Sequence, residues 1–141
     1  MSVITCIDDL KTVYQRRVPK MFYDYTEAGS WTEQTLQENT RDFQKLHFRQ
    51  RIAVDMADRT TKATMIGQTV TMPVALAPVG LTGMQCADGE IKAARAAETF
   101  DVPFILSTMS ICSIEDVAEA TDQPFWFQVY TLKDDDFMRR L

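Results

Sequence analysis

The sequence predicts an α/β fold, and three observations carry that reading. Short apolar runs recur in "VALAPV", "PFILST" and "FWFQVY". Each is followed by a stretch with helix-start chemistry. The runs are apolar on both faces, as strands covered by helices on either side must be. Such strands alternating with helices form a parallel sheet with right-handed crossovers.

The elements follow in order. Ile7, Leu10, Val13 and Tyr14 fall on one helical face, Pro19 is placed to open a second helix, and Gly29 follows as its stop. A third helix is expected from Thr32 to Leu46, with Leu36 and Phe43 one heptad apart. Thr- and Val-rich segments around Gly67 then suggest a small β-ribbon. After "VALAPV", with Gly80 and Gly83 behind it, Asp88 is placed to N-cap the Ala-rich "DGEIKAARAAETF". Ser113 and Asp116 stand in capping-box positions after "PFILST". After "FWFQVY", Asp134, Asp135 and Asp136 lie where a helix start favours negative charge, with Phe137 and Leu141 one turn apart. The division this gives is a helical segment with β-ribbon at 1–71 and three βα units at 72–141.

Composition narrows the function classes. The 141 residues, 45% hydrophobic and 25% charged, lie in the globular range and suffice for one modest core. A net charge of −5, with 20 acidic and 15 basic residues and no basic run, argues against a phosphate-tracking surface, so no nucleic-acid partner is expected. Cys6, Cys86 and Cys112 lack metal-ligand spacing, and no metal is expected. The start "MSVITCIDDL" has no basic or long apolar leader region, which fits a reducing cytoplasm. The longest apolar run, Met72 to Leu81, holds two prolines and is about half a membrane span, so any membrane contact is expected to be peripheral or made elsewhere.

Two parallel architectures compete. A doubly wound sheet usually carries a glycine-rich nucleotide fingerprint after its first strand, and Gly80-Leu81-Thr82-Gly83 is neither GxGxxG nor a P-loop. A (β/α)₈ TIM barrel needs no fingerprint and gathers polar site residues at the C-terminal ends of its strands. Val79-Gly80, Ser107-Thr108 and Gln128 with Tyr130 occupy such ends, which favours the barrel. A barrel of this kind takes about 250 residues. The sequence therefore reads as the N-terminal part of a larger enzyme, stopping at Leu141 inside the helix after the third strand.

"YDYTEAG", "LHFRQRI", "MPVALAPVGLTGM", "LSTMSICSIEDVA" and "FWFQVY" together resemble the FMN-dependent L-2-hydroxy-acid dehydrogenase and oxidase family, in its order and near its spacing. The likeness is strongest to the bacterial L-lactate dehydrogenases of that family, in "MPVALAPVGL" and "FWFQVY". The resemblance implies FMN as cofactor and oxidation of L-lactate or a related 2-hydroxy acid to the 2-oxo acid. It further implies a possible quinone acceptor, a homo-oligomer at full length, and a cytoplasmic protein that at full length could sit at the inner face of the cell membrane.

Residue by residue, the resemblance makes Tyr25 and Tyr130 holders of the substrate carboxylate, with Tyr23 structural. Without it, Tyr25 in an aromatic helix segment reads as a packing residue. Pro78, Val79 and Gly80 read as a turn beside a strand; the resemblance takes their backbone past the reactive edge of the flavin. Ser107 reads as a strand-end hydroxyl or local cap; the resemblance makes it a flavin hydrogen-bond partner. Gln128 is suggestive unaided, because an amide in an apolar strand must find partners, and a flavin pyrimidine edge offers both donors and acceptors.

His47, the one histidine, lies outside the βα repeats and is not taken as catalytic. Cys86 and Cys112 read as packing or loop residues, and Asp134 to Asp136 as a solvated helix start. The family's base, an arginine for the carboxylate and a lysine for the reduced flavin have no motif here, so no catalytic residue is assigned and the base is expected beyond Leu141. The 141-residue chain alone is expected to be inactive. The alternative is a catalytically silent remnant that acts at most as a binding or interaction module.

Overall fold

A computed structural model describes residues 3–140. The chain divides into two compact units, Met1–Arg59 and Thr60–Leu141.

The first unit holds three α-helices, α1 (Ile7–Arg17), α2 (Lys20–Glu27) and α3 (Gln34–Arg41), followed by a 3₁₀ turn over Asp42–Lys45. Asp9 Oδ2 organises the start of α1 by accepting from the Thr5 amide and hydroxyl and the Cys6 amide. Those bonds hold its carboxyl below the usual carboxylate range. Pro19 is the N-cap of α2, one position earlier than the first helical turn. That helix closes on Ala28 in extended conformation, and the Gly29 amide turns to Glu33 Oε1 at 3.1 Å. The third helix is shorter than Thr32–Leu46, because its last turn tightens to 3₁₀ and Leu46 is extended. Lys11 and Glu27 form an ion pair joining α1 to α2.

The second unit opens with a ribbon of antiparallel strands, β1 (Ala63–Met65) and β2 (Gln68–Val70), turned by Ile66-Gly67. Both turn residues have positive φ, +46° and +79°, so glycine is well suited to the second position. The sequence places this ribbon with the helical segment, whereas in the structure it clusters with the βα region. Thr71 ties it there: its hydroxyl donates to the Phe100 carbonyl at 2.5 Å and its amide to the Asp101 carbonyl at 3.2 Å.

Beyond the ribbon come α4 (Thr82–Gln85), α5 (Gly89–Phe100), β3 (Ile105–Ser107), α6 (Ile114–Ala120), β4 (Trp126–Gln128) and α7 (Asp135–Arg140). β3 and β4 pair in parallel, and "VALAPV" joins them through a single parallel bridge, Leu76 with Phe104. The first run is thus a one-residue contact rather than a strand, held by Leu76 N–H to Pro103 O at 2.9 Å and Ile105 N–H to Leu76 O at 3.1 Å. Pro73 and Pro78 on either side cannot donate to a ladder, which limits its length.

One face of the sheet packs on α5 and α6. Leu106 and Val117, both 0% exposed, join Ala94, Ala97 and Phe104 as the core. The Phe104 and Phe125 rings lie 6.2 Å apart in a tilted pair. Ser113 caps α6 reciprocally with Asp116, at 3.0 and 3.2 Å. Asp88 stands at the N-cap of α5 but makes no side-chain cap, because its backbone is left-handed (φ 56°) instead of extended. At α7 the Asp134 carboxylate accepts the Phe137 amide at 2.9 Å. Leu141 lies outside the described residues.

Candidate functional site

The parallel register sets Ser107 beside Gln128 at the C-terminal ends of β3 and β4. Because side chains alternate along a strand, Leu106 enters the core while Ser107 turns to the other face. Ser107 is 3% exposed, and its Oγ donates to Gln128 Oε1 at 3.2 Å while accepting the Met109 amide at 3.1 Å. The buried hydroxyl is therefore satisfied, and it fixes the amide. With its oxygen taken by Ser107, Gln128 keeps two N–H donors for another acceptor.

Thr108 ties the next residues together. Its amide donates to the Gln128 carbonyl at 3.1 Å, its hydroxyl donates to the same carbonyl, and its Oγ1 accepts the Tyr130 amide at 3.0 Å. The Tyr130 side chain is half exposed. Pro78 is half-buried and Val79 exposed, and Gly80 begins the turn into α4. Thr82 Oγ1 donates to the Val79 carbonyl at 3.0 Å. Val79 and Ser107 line one cavity of about 290 Å³ with Leu76, Thr82 and Glu90. A second cavity of about 290 Å³, lined by Val70, Phe104, Thr121 and Phe125, lies toward the N-terminal ends of β3 and β4 and holds none of the candidate residues. Tyr25 is carried by α2 of the helical unit, 59% exposed. Its neighbour Tyr23 packs on Tyr14 with ring centroids 5.2 Å apart.

Two residues escaped the sequence reading. Thr108 was noted at a strand end but given no role. Glu90, 2% exposed in the first turn of α5, was not singled out at all. Its Oε1 accepts the Gly83 and Ile111 amides, each at 3.0 Å, and its Oε2 is buried without a hydrogen-bond partner. Burial pushes this carboxyl up, but hydrogen bonds led by those from the Ile111 and Gly83 amides outweigh it and hold the group below its ordinary value. Burial, reinforced by the same carboxylate, raises the Cys112 thiol. His47 is exposed in the helical unit. Among the described residues no cluster of His, Cys, Asp and Glu could hold a metal, and no helix is long and apolar enough to cross a membrane.

Residues 14–141 match the family model described as FMN-dependent dehydrogenase. An L-lactate dehydrogenase of Stenotrophomonas maltophilia (strain R551-3) is 45% identical over 137 residues, and one of Pectobacterium atrosepticum is 47% identical over the same length. Each alignment covers 97% of this chain and 36% of the relative. The chain thus spans about a third of the length of the curated relatives it matches. Among solved structures, a monotopic membrane protein, (S)-mandelate dehydrogenase, superposes with a TM-score of 0.89 at 36% identity, covering 96% of this chain and 36% of that one. A mandelate oxidase superposes with a TM-score of 0.88 at 31% identity, covering 98% and 41%.

Proposed function

Since the chain belongs to the FMN-dependent dehydrogenase family, we propose that it forms one wall of the active site of an oxidoreductase that converts L-lactate, or a close L-2-hydroxy acid, to the 2-oxo acid. FMN is the cofactor of the family, and when bound it supplies the acceptor for a hydride equivalent. The observation that carries the reading is the Ser107–Gln128 pair at the ends of neighbouring parallel strands. An amide pinned through its oxygen, with its N–H donors left over, suits the carbonyl acceptors of a flavin pyrimidine edge. These residues fit the ring end of FMN. We assign its phosphate to the part of the relatives' length that this chain does not span, since barrel phosphate sites are built after strands seven and eight.

In this reading the Leu76 bridge, β3 and β4, with α5, α6 and α7, are three consecutive units of a (β/α)₈ barrel. Pro78, Val79 and Gly80 pass the reactive edge of the ring with backbone groups. The Tyr130 hydroxyl holds the substrate carboxylate, which orients the carbon that loses hydride. The proton-abstracting base and the cations for carboxylate and reduced flavin belong to the unspanned length as well. The acceptor is a quinone, the full-length protein a homo-oligomer at the inner face of the membrane; a similar structure named as a monotopic membrane protein supports membrane association.

The test is FMN content. Protein produced from the complete coding sequence is expected to purify yellow, with FMN near one per chain, and Gln128→Leu is expected to lose most of it. A colourless wild type, or full FMN retention in Gln128→Leu, would overturn the assignment.

A further inference from the structure

We propose that Glu90 is a positioning residue that clamps the turn after the first parallel run to the loop after β3, and so fixes where Pro78–Gly80 stand against the flavin. This rests on the flavin reading above. Its basis is the way the two loops meet over one buried carboxylate. Glu90 Oε1 accepts from Gly83 in the short α4, into which the first turn runs, and from Ile111 in the loop after β3, each at 3.0 Å. A direct bond from the Leu81 amide to the Met109 carbonyl at 2.9 Å joins the same two loops. Thr82 Oγ1 then passes the constraint to the Val79 carbonyl at 3.0 Å.

The packing is equally close. A Cβ added to Gly83 would lie 2.7 Å from Ile111 Cβ and 3.0 Å from Glu90 Oε2, so any side chain there must drive the loops apart. Glu90 itself is 2% exposed, forms no ion pair among the described residues, and leaves Oε2 buried without a partner. A buried carboxylate with no ion-pair partner is a costly way to hold two amides if the only need were a stable helix. It is placed where the loops of the site end of the sheet converge, and rigid support of such loops is what a reactive geometry requires.

The test compares wild type, Glu90→Gln, Glu90→Ala and Gly83→Ala as FMN-loaded protein from the complete coding sequence. It reads amide hydrogen exchange at Gly83 and Ile111, the visible flavin spectrum, and kcat against KM. Both amides are expected to be protected in the wild type although they belong to no strand ladder. Glu90→Ala and Gly83→Ala are expected to lose about tenfold of that protection, the equivalent of one ordinary hydrogen bond. Both are also expected to shift the flavin spectrum and to lower kcat more than they raise KM. Glu90→Gln keeps an acceptor oxygen and should restore protection and spectrum. Freely exchanging amides in the wild type would overturn the clamp, whatever the variants do. Lost protection with an unchanged spectrum and unchanged kcat would overturn the positioning role. If Glu90→Ala does not fold, Gly83→Ala and the wild-type exchange decide the matter. A wild type that binds no FMN would overturn the flavin reading instead, while protected amides in that same protein would still support the clamp.

Discussion

Ser107 and Gln128 act as a unit, so their substitutions should not be equivalent. Ser107→Ala removes the donor that turns the Gln128 amide and leaves the Met109 amide without its hydroxyl partner. It is expected to weaken FMN binding by about 1 kcal/mol, the value of one neutral hydrogen bond, measured by titrating apoprotein with FMN. Tyr130→Phe should leave FMN in place and reduce kcat/KM for L-lactate by about 1 to 3 kcal/mol of transition-state stabilisation. Loss of flavin with unchanged kinetics in the remaining holoprotein would reassign Tyr130 to cofactor packing. For Glu90 the sign follows from a carboxyl held below its ordinary 4.5. Its stabilising contribution is present above that value and is lost as pH falls through the lower folded-state pKa. The stability gap between wild type and Glu90→Gln should therefore be flat near neutrality and close on acidification below 4.5. Denaturant midpoints across pH would show it, and a gap that widens in acid would contradict it. Gln128 was legible in the sequence because an amide in an apolar run needs partners. Glu90 was not, because an acid in the first turn of a helix is what the helix dipole already favours, and nothing local reveals that two distant loops close over it.

At the scale of elements, what is encoded within a few residues was legible and what depends on packing was not. The Ser113–Asp116 capping box is a local exchange of two hydrogen bonds, and it forms as the spacing predicts. Ser113→Ala is accordingly expected to cost about 1 kcal/mol of stability, measured by denaturant unfolding. Asp88→Ala should cost far less, under about 0.5 kcal/mol, because the left-handed Asp88 makes no cap. Equal losses at the two positions would contradict that distinction. "VALAPV" is apolar enough to read as a strand, but its flanking prolines leave only Leu76 to pair. The ribbon was legible in the short Thr- and Val-rich segments around Gly67. Its attachment was missed, since the bonds from Thr71 to Phe100 and Asp101 span about thirty residues and leave no short-range pattern.

For the whole molecule, family membership and strand-end geometry both support the proposed chemistry. The relatives are named as L-lactate dehydrogenases, and the residues at the strand ends suit a flavin ring edge. As a 141-residue polypeptide the chain leaves apolar side chains such as Phe48, Ile52 and Val129 exposed and, among the described residues, the parallel pair open at its β4 edge. It is expected to self-associate, as sedimentation velocity would show, whereas a monodisperse monomer with a sharp cooperative melt would contradict this. The most direct test of the central claim uses the protein made from the complete coding sequence. Mixed anaerobically with L-lactate, its visible flavin absorbance should bleach with a rate that saturates in substrate, and D-lactate should leave it unchanged. A flavin that L-lactate does not bleach would contradict the account.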